Sequence, residues 1–115
     1  MDLLPTDIRA ALAQHPIGTH DGLGDQAKVI VKFFFPAGRY TLFVTEGSPQ
    51  DEDDYLFFGY CVSSLGPDCD EWGYCTLSEL QSVELAGIRI ERDLYFPSGL
   101  WTVAEAHARH VDATR

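Results

Sequence analysis

The apolar positions of this 115-residue chain fall into short runs whose period switches between helix and strand. Thr6 to His15 places Ile8, Ala11, Leu12 and His15 on one helical face, with Thr6 as N-cap and Pro16 as the stop. A Gly- and Asp-rich loop runs on to Asp25. Lys28 to Phe35 then alternates with period two. Val29, Val31, Phe33 and Phe35 form its core face, while Lys28, Ile30, Lys32 and Phe34 form a half-covered one. Pro36–Arg39 is a turn of hairpin length, and Tyr40 to Glu46 is a second strand rich in β-branched and aromatic residues. Gly47 to Asp54 reads as a polar loop and Tyr55 to Val62 as a third strand, in which Gly59 marks a bulge or a close backbone approach. After a second loop, Ser63 to Glu71, a short strand is expected around Trp72 to Cys75.

Thr76-Leu77-Ser78-Glu79 has the capping-box form, opening a one- or two-turn helix that Gly87 would stop. In Ile88 to Phe96, one face carries Ile88, Ile90, Leu94 and Phe96 and the other Arg89, Glu91, Asp93 and Tyr95. Arg92 interrupts the apolar face, which places this strand at an edge or pairs its guanidinium. Thr102-Val103-Ala104-Glu105 is a second capping box, opening a C-terminal helix to about His110. The fold class expected is α+β: an antiparallel β-meander of four to five strands flanked by short helices, in one domain over 1–115.

Charge changes the picture more than length does. Eighteen acids face eight Lys and Arg, for a formal charge of −10. From Tyr40 to Ile88 there is no Lys or Arg but ten carboxylates, so the remaining eight acids and eight bases cancel. Sequence-independent binding to nucleic acid and to anionic membranes is disfavoured, because both depend on basic side chains. In a meander the acidic run Asp51-Glu52-Asp53-Asp54 lies at one end of the sheet with Asp21 and Asp25. Asp68, Asp70 and Glu71 lie at the other with the Pro36–Arg39 turn. Alternate carboxylates on an extended run sit about 6.6–6.8 Å apart, close to the phosphate spacing of one nucleic-acid strand. Mimicry of DNA therefore stands beside the plainer reading of solvated loops. Tyr55, Trp72 and Tyr74 flank the acidic runs as candidate hot-spot aromatics.

The remaining chemistry is sparse. Asp51 lacks the Gly and Glu that a calcium loop would need downstream, and three cysteines without a CxxC give neither a zinc knuckle nor a disulfide framework. Cys61 and Cys75 read as small core residues, and Cys69 between Asp68 and Asp70 has its thiolate disfavoured. His107 and His110 read as an exposed helix end, where imidazole suits the C-terminal dipole. No phosphate loop, GxSxG or HExxH occurs, so no cofactor or metal is called for. Glu91 and Asp93, beside Arg89 and Arg92, read mainly as cross-strand ion pairs and secondarily as an acid–base face. The start of the chain lacks the basic and apolar blocks of a signal peptide, and with reduced thiols the expected compartment is the cytoplasm.

Val31-Lys32-Phe33-Phe34, Phe57-Phe58-Gly59, Trp72-Gly73-Tyr74 followed by Thr76–Leu80, and Ile90-Glu91-Arg92-Asp93-Leu94-Tyr95-Phe96 together resemble the domain of unknown function 2958 family. The likeness runs from the Ile8-Arg9-Ala10 helix to Phe96. The C-terminal helix is less alike, and the Gly66–Asp70 loop is longer. The resemblance brings no catalytic residues. It implies an accessory protein of bacterial plasmids and other mobile elements, a setting in which small acidic proteins block defence enzymes that handle DNA. The expected function is thus a non-enzymatic acidic protein, of anti-CRISPR or anti-restriction type. It would occupy a basic nucleic-acid-binding surface with Asp51, Glu52, Asp53, Asp54, Asp68, Asp70, Glu71, Tyr55 and Trp72. The alternatives are a small enzyme or ligand-binding domain using Arg89, Glu91, Arg92 and Asp93, and an interaction scaffold that exposes Ile30 and Phe34.

Overall fold

The computed structural model describes residues 1–51, 53–63 and 70–113, with side chains through His110. Its element order is α1 (Thr6–Ala13), β1 (Val31–Phe34), β2 (Thr41–Gln50), β3 (Asp54–Val62), β4 (Glu71–Thr76), α2 (Leu77–Ser82), β5 (Glu84–Leu85), β6 (Ile88–Arg89), β7 (Glu91–Arg92) and α3 (Val103–Ala113). Five strands form one antiparallel sheet in the order β4-β3-β2-β1-β7, and β5 and β6 form a separate hairpin. The fold is α+β, built on the expected meander.

Both faces of the sheet are covered, because both carry bulky apolar side chains. On the first face Val31, Phe33, Leu42, Val44, Tyr55 and Phe57 pack with Leu12 of α1, Leu77 and Leu80 of α2, and Ile90. On the second face Phe43 and Val29 pack with Val103 and Ala106 of α3, edged by Tyr60, Trp72, Phe96 and Trp101. The segment before β1 holds α3 in place: Val29 N–H donates to Trp101 O, and Val103 N–H donates to Ala27 O. Those bonds draw residues 27–30 out of regular strand geometry and shift the expected alternation. Val29 turns to the second face, while Ile30, only 2% exposed, joins the first. The half-covered face with an exposed Ile30 does not exist, and Phe34 is half-buried.

The Gly47–Asp54 loop is also corrected. β2 continues to Gln50 and meets Asp54 of β3 across a tight turn, with Asp51 at φ 21°. What allows the longer hairpin is a bulge at Thr45, between the pairs Val44–Gly59 and Glu46–Phe58. Gly59 lies so close to β2 that an added Cβ would stand 2.1 Å from the Phe43 carbonyl oxygen. The bulge reverses the facing of everything after it. Glu46 pairs with Phe58 on the second face, and Gly47 faces Tyr55 and Leu12 on the first, where a Cβ would meet the Tyr55 ring at 2.7 Å.

Three further boundaries move. Pro5, not Thr6, holds the N-cap of α1, and no side chain caps that helix. α2 ends at Val83 rather than at Gly87. Gly87, at φ 84° after Ala86 at φ 53°, makes the β5–β6 turn, where both central residues need positive φ. The expected strand Ile88–Phe96 is broken in two and ends in a turn closed by Asp93, whose Oδ1 accepts from Tyr95 N–H, so Leu94 is exposed. Its last piece, β7, does lie at the sheet edge against β1, with Arg92 opposite Phe33. Both capping boxes form: Glu79 N–H donates to Thr76 Oγ1 at 3.1 Å, and Glu105 N–H donates to Thr102 Oγ1 at 3.2 Å.

The strand glycines Gly59 and Gly73 separate by consequence. Gly59→Ala must displace backbone and should cost about 3 kcal/mol or more, the upper end for overpacking. Gly73→Ala, with nothing within 4 Å of the new methyl, should stay within about 1 kcal/mol of wild type. Urea denaturation of the two variants checks both values.

Candidate interaction face and side-chain clusters

Running outward from α3, the second face of β3 and β4 carries a continuous row of rings. Tyr74 pairs with Phe58 and Trp72 with Tyr60 in the register of the two strands. Phe58 touches Tyr74 at 4.8 Å between centroids and stacks on Trp72 at 5.6 Å with planes 21° apart. Tyr60 follows at 5.5 Å from Trp72, and His107 of α3 closes the row at 5.3 Å from Tyr60. Alternation along two β-strands aligns these rings. Tyr74 is 63% exposed, and Phe58 and Trp72 are half-buried. β4 is the terminal strand of the sheet, so one of its edges is unpaired among the described residues.

Carboxylates rim this row. Exposed Asp21 shares a hollow of about 390 Å³ with Phe58 and Trp72. Exposed Asp25 shares another of about 220 Å³ with Tyr60 and Trp72. Among the described residues no Lys or Arg lines either hollow; His20 lines the first and His107 the second. Asp21 and Asp25 therefore belong to the middle of the sheet face and not to the Asp51–Asp54 end. Their loop is drawn there by Glu46, which is 2% exposed and accepts from Gly18 N–H and His20 N–H. Beside it His15 Nδ1 and His20 Nε2 lie 2.9 Å apart. Burial and the neighbouring His20 hold the His15 pKa down, with Glu46 opposing them. Sequence reading missed this cluster, since Glu46 lies in an acidic half with no spacing that links it to two histidines.

The expected acidic residues divide by use. Asp51 and Asp53 are exposed at the β2–β3 turn and Glu71 at the start of β4. Asp54 is committed: Oδ1 accepts from Ser78 N–H at 3.0 Å and from Tyr55 N–H at 2.8 Å, and Oδ2 accepts from Ser78 Oγ at 2.7 Å. Those hydrogen bonds, led by the Ser78 hydroxyl, hold its carboxyl below the usual range. Asp70 is committed too, accepting from Ser63 N–H at 3.0 Å and facing His107 Nε2 at 4.0 Å. Glu52 and Asp68 lie outside the described residues, as does Cys69. Tyr55, 1% exposed, is a core residue with Arg9 over its ring at 5.3 Å, so it offers nothing to a partner.

The residues of the alternative polar face make separate contacts. Arg89 donates to Gln81 O at 3.0 Å, and Asp93 pairs with Lys32 at 3.4 Å. Glu91 shares a hollow of about 440 Å³ with Arg89, and Arg92 sits one register position away with its Nε buried. Asp93 N–H donates to Lys32 O, which continues the β7–β1 register past Arg92, and the Asp93 carboxylate is engaged by Lys32. Cys61 and Cys75 pack beside Tyr40 at the rim of the first core. Burial raises both thiols, Cys75 to about 11, so neither is a ready thiolate. His107 and His110 are not an exposed helix end. Their rings meet Tyr60 and Phe43 edge-on, at 5.3 and 5.9 Å. Among the described residues no group of three or more His, Cys, Asp or Glu is placed to hold a metal ion, and no helix is long and apolar enough to cross a membrane.

A family model described as protein of unknown function (DUF2958) matches residues 3–111. No curated protein and no solved structure matches the chain.

Two outcomes follow from the committed carboxylates. Because the folded Asp54 pKa is depressed, its stabilisation is present above the unfolded value of 3.8 and is lost as pH falls through the folded one. Wild type should exceed Asp54→Asn in stability at neutral pH, and the gap should close in acid denaturation. Replacing Glu46 by Ala strips two backbone donors of their acceptor. Hydrogen exchange at the Gly18 and His20 amides should then speed markedly while that of the β3 amides changes less.

Proposed function

The chain belongs to the DUF2958 family, and we propose that it is a non-enzymatic binding protein that docks a basic partner on the outer face of β3 and β4. The observation that carries this reading is the half-exposed row Tyr74–Phe58–Trp72, edged by Asp21, Asp25 and Glu71, with no Lys or Arg among the described residues of the hollows beside Trp72. Partly exposed Trp and Tyr surrounded by polar groups are the usual energetic centre of a protein interface. Arg side chains match such a surface twice, stacking on the rings and pairing with the carboxylates. The exposed acids of the β2–β3 turn, Asp51 and Asp53, add long-range attraction that steers the encounter.

A partner of this chemistry is a protein whose basic surface ordinarily holds nucleic acid. A cytoplasmic anti-defence protein of a mobile element, competing for the basic channel of a DNA-handling enzyme, is the specific form we propose. Binding rests on the aromatic face as much as on the acids, since Asp54 and Asp70 are occupied within the fold.

The test uses an arginine-rich peptide as a defined probe and host lysate as the source of partners. Trp72→Ala and Tyr74→Ala should each weaken peptide binding about tenfold or more, the loss expected at a hot spot. Asp51→Asn with Asp53→Asn should lower the association rate and flatten its salt dependence, leaving dissociation nearly unchanged. From lysate, wild type should retain nucleic-acid-handling proteins that rising salt releases. Salt-insensitive retention, equal for wild type and the aromatic variants, would overturn the proposal.

A further inference from the structure

A second site lies on the other side of α3, where Lys32 and Arg39 face one cleft in an otherwise acidic molecule, and where burial and the nearby Lys32 hold the His110 pKa down, so that this imidazole serves as a neutral hydrogen-bonding group. A cleft of about 630 Å³ opens between α3 and the 36–39 turn, within the size range of small-molecule sites. Lys32, Arg39, His107 and His110 line it together, two of the chain's eight Lys and Arg with two of its four His. Among the described residues Asp70 is the one carboxylate in the lining, and it is already engaged by Ser63 N–H and His107. Lys32 is 3.4 Å from Asp93, which occupies one side of an ammonium that carries three donors. Phe34, Phe35, Pro36, Tyr40 and Val62 supply the remaining wall, which is mainly apolar.

We propose that this cleft binds a small organic anion with a flat, apolar body, the anionic group held by Lys32 and Arg39 beside the two imidazoles and the body set against Phe35 and Tyr40. Each half of that description comes from one part of the lining. Basic side chains at the rim of an apolar cleft form charge-assisted hydrogen bonds in a less hydrated setting, where those bonds count for more than on an open surface. A polyanion is excluded by the charge of the whole molecule: at −10 the surrounding surface repels nucleic acid, while a small anion reaches the local positive pocket. The site is separate from the face of β3 and β4 proposed above, sharing with it only His107 at the end of the ring row.

Amide and imidazole NMR of the full chain tests this with three probes: phenyl phosphate, benzoate and benzyl alcohol. Phenyl phosphate or benzoate should shift the signals of Lys32, Arg39, His107 and His110 saturably below about 10 mM, a range that captures even a millimolar site. The better of the two identifies the anionic group. Benzyl alcohol should bind at least tenfold more weakly, since it lacks the charge. Arg39 is exposed, so Arg39→Gln should keep the wild-type circular dichroism and lose about tenfold in affinity. Lys32→Gln combined with Asp93→Asn removes the second cation without stranding its partner and should do the same. No shift with either anion, equal binding of benzyl alcohol, or wild-type affinity in both variants would each overturn the proposal.

Discussion

The close approach of Gly59 to the Phe43 carbonyl, opposite the bulge at Thr45, is the constraint on which the rest of the structure depends. Without the extra residue, strict alternation would send Glu46 into the α1 core and Gly47 to the other side. With it, the one residue small enough to pass Leu12 and Tyr55 faces them, and the carboxylate faces the loop it must hold. The buried Glu46 carboxyl then accepts from the Gly18 and His20 N–H groups, bringing Asp21 over Phe58 and Trp72. Beyond Val44 the free edge of β2 is closed by the same loop, through Gly47 N–H to His15 O and Ile17 N–H to Ser48 Oγ. One backbone irregularity thus shapes the core of α1 and the acid rim of the aromatic face.

The acidic composition does several jobs that a charge count merges. Glu79 and Glu105 complete capping boxes, and Asp54 caps α2 from the neighbouring hairpin, each placing negative charge at a helix start where backbone donors are unpaired. Asp93 and Asp70 balance Lys32 and His107. Asp21, Asp25, Asp51, Asp53 and Glu71 keep their charge at the surface. These exposed carboxylates add directly to the field that a distant partner would feel.

α3 separates two environments of opposite character. On its β3–β4 side, rings and carboxylates face outward with no Lys or Arg among the described residues of the hollows. On its β1 side, Lys32, Arg39 and two imidazoles converge over apolar walls. The helix can do this because His107 and His110, three residues apart, share the face that packs on the sheet, resting on Tyr60 and Phe43. Arg109, on another side of the helix, stacks over Trp101 at 4.1 Å and ties the helix to the segment before it.

By itself the sequence determined the parts whose cause is local. The meander followed from period-two runs separated by turn residues, and the two capping boxes from Thr and Glu three apart. Gly59 was legible as a close approach because a glycine amid β-branched and aromatic residues needs a reason. The edge position of β7 was legible from Arg92 in an apolar row. Tertiary structure alone decided which face each residue served. Val29 and Ile30 changed sides because residues 27–30 bond to the segment before α3 rather than continuing β1. Asp54 looked like part of a free acidic run until the fold carried Ser78, 24 residues away, to its oxygens. Tyr55 was buried by α1, Asp93 turned to Lys32 across the sheet edge, and the histidines were drawn inward by packing. Local pattern fixes backbone conformation because it acts through neighbours in the chain. The environment of a charge or a ring depends on contacts between distant segments, which no local pattern encodes.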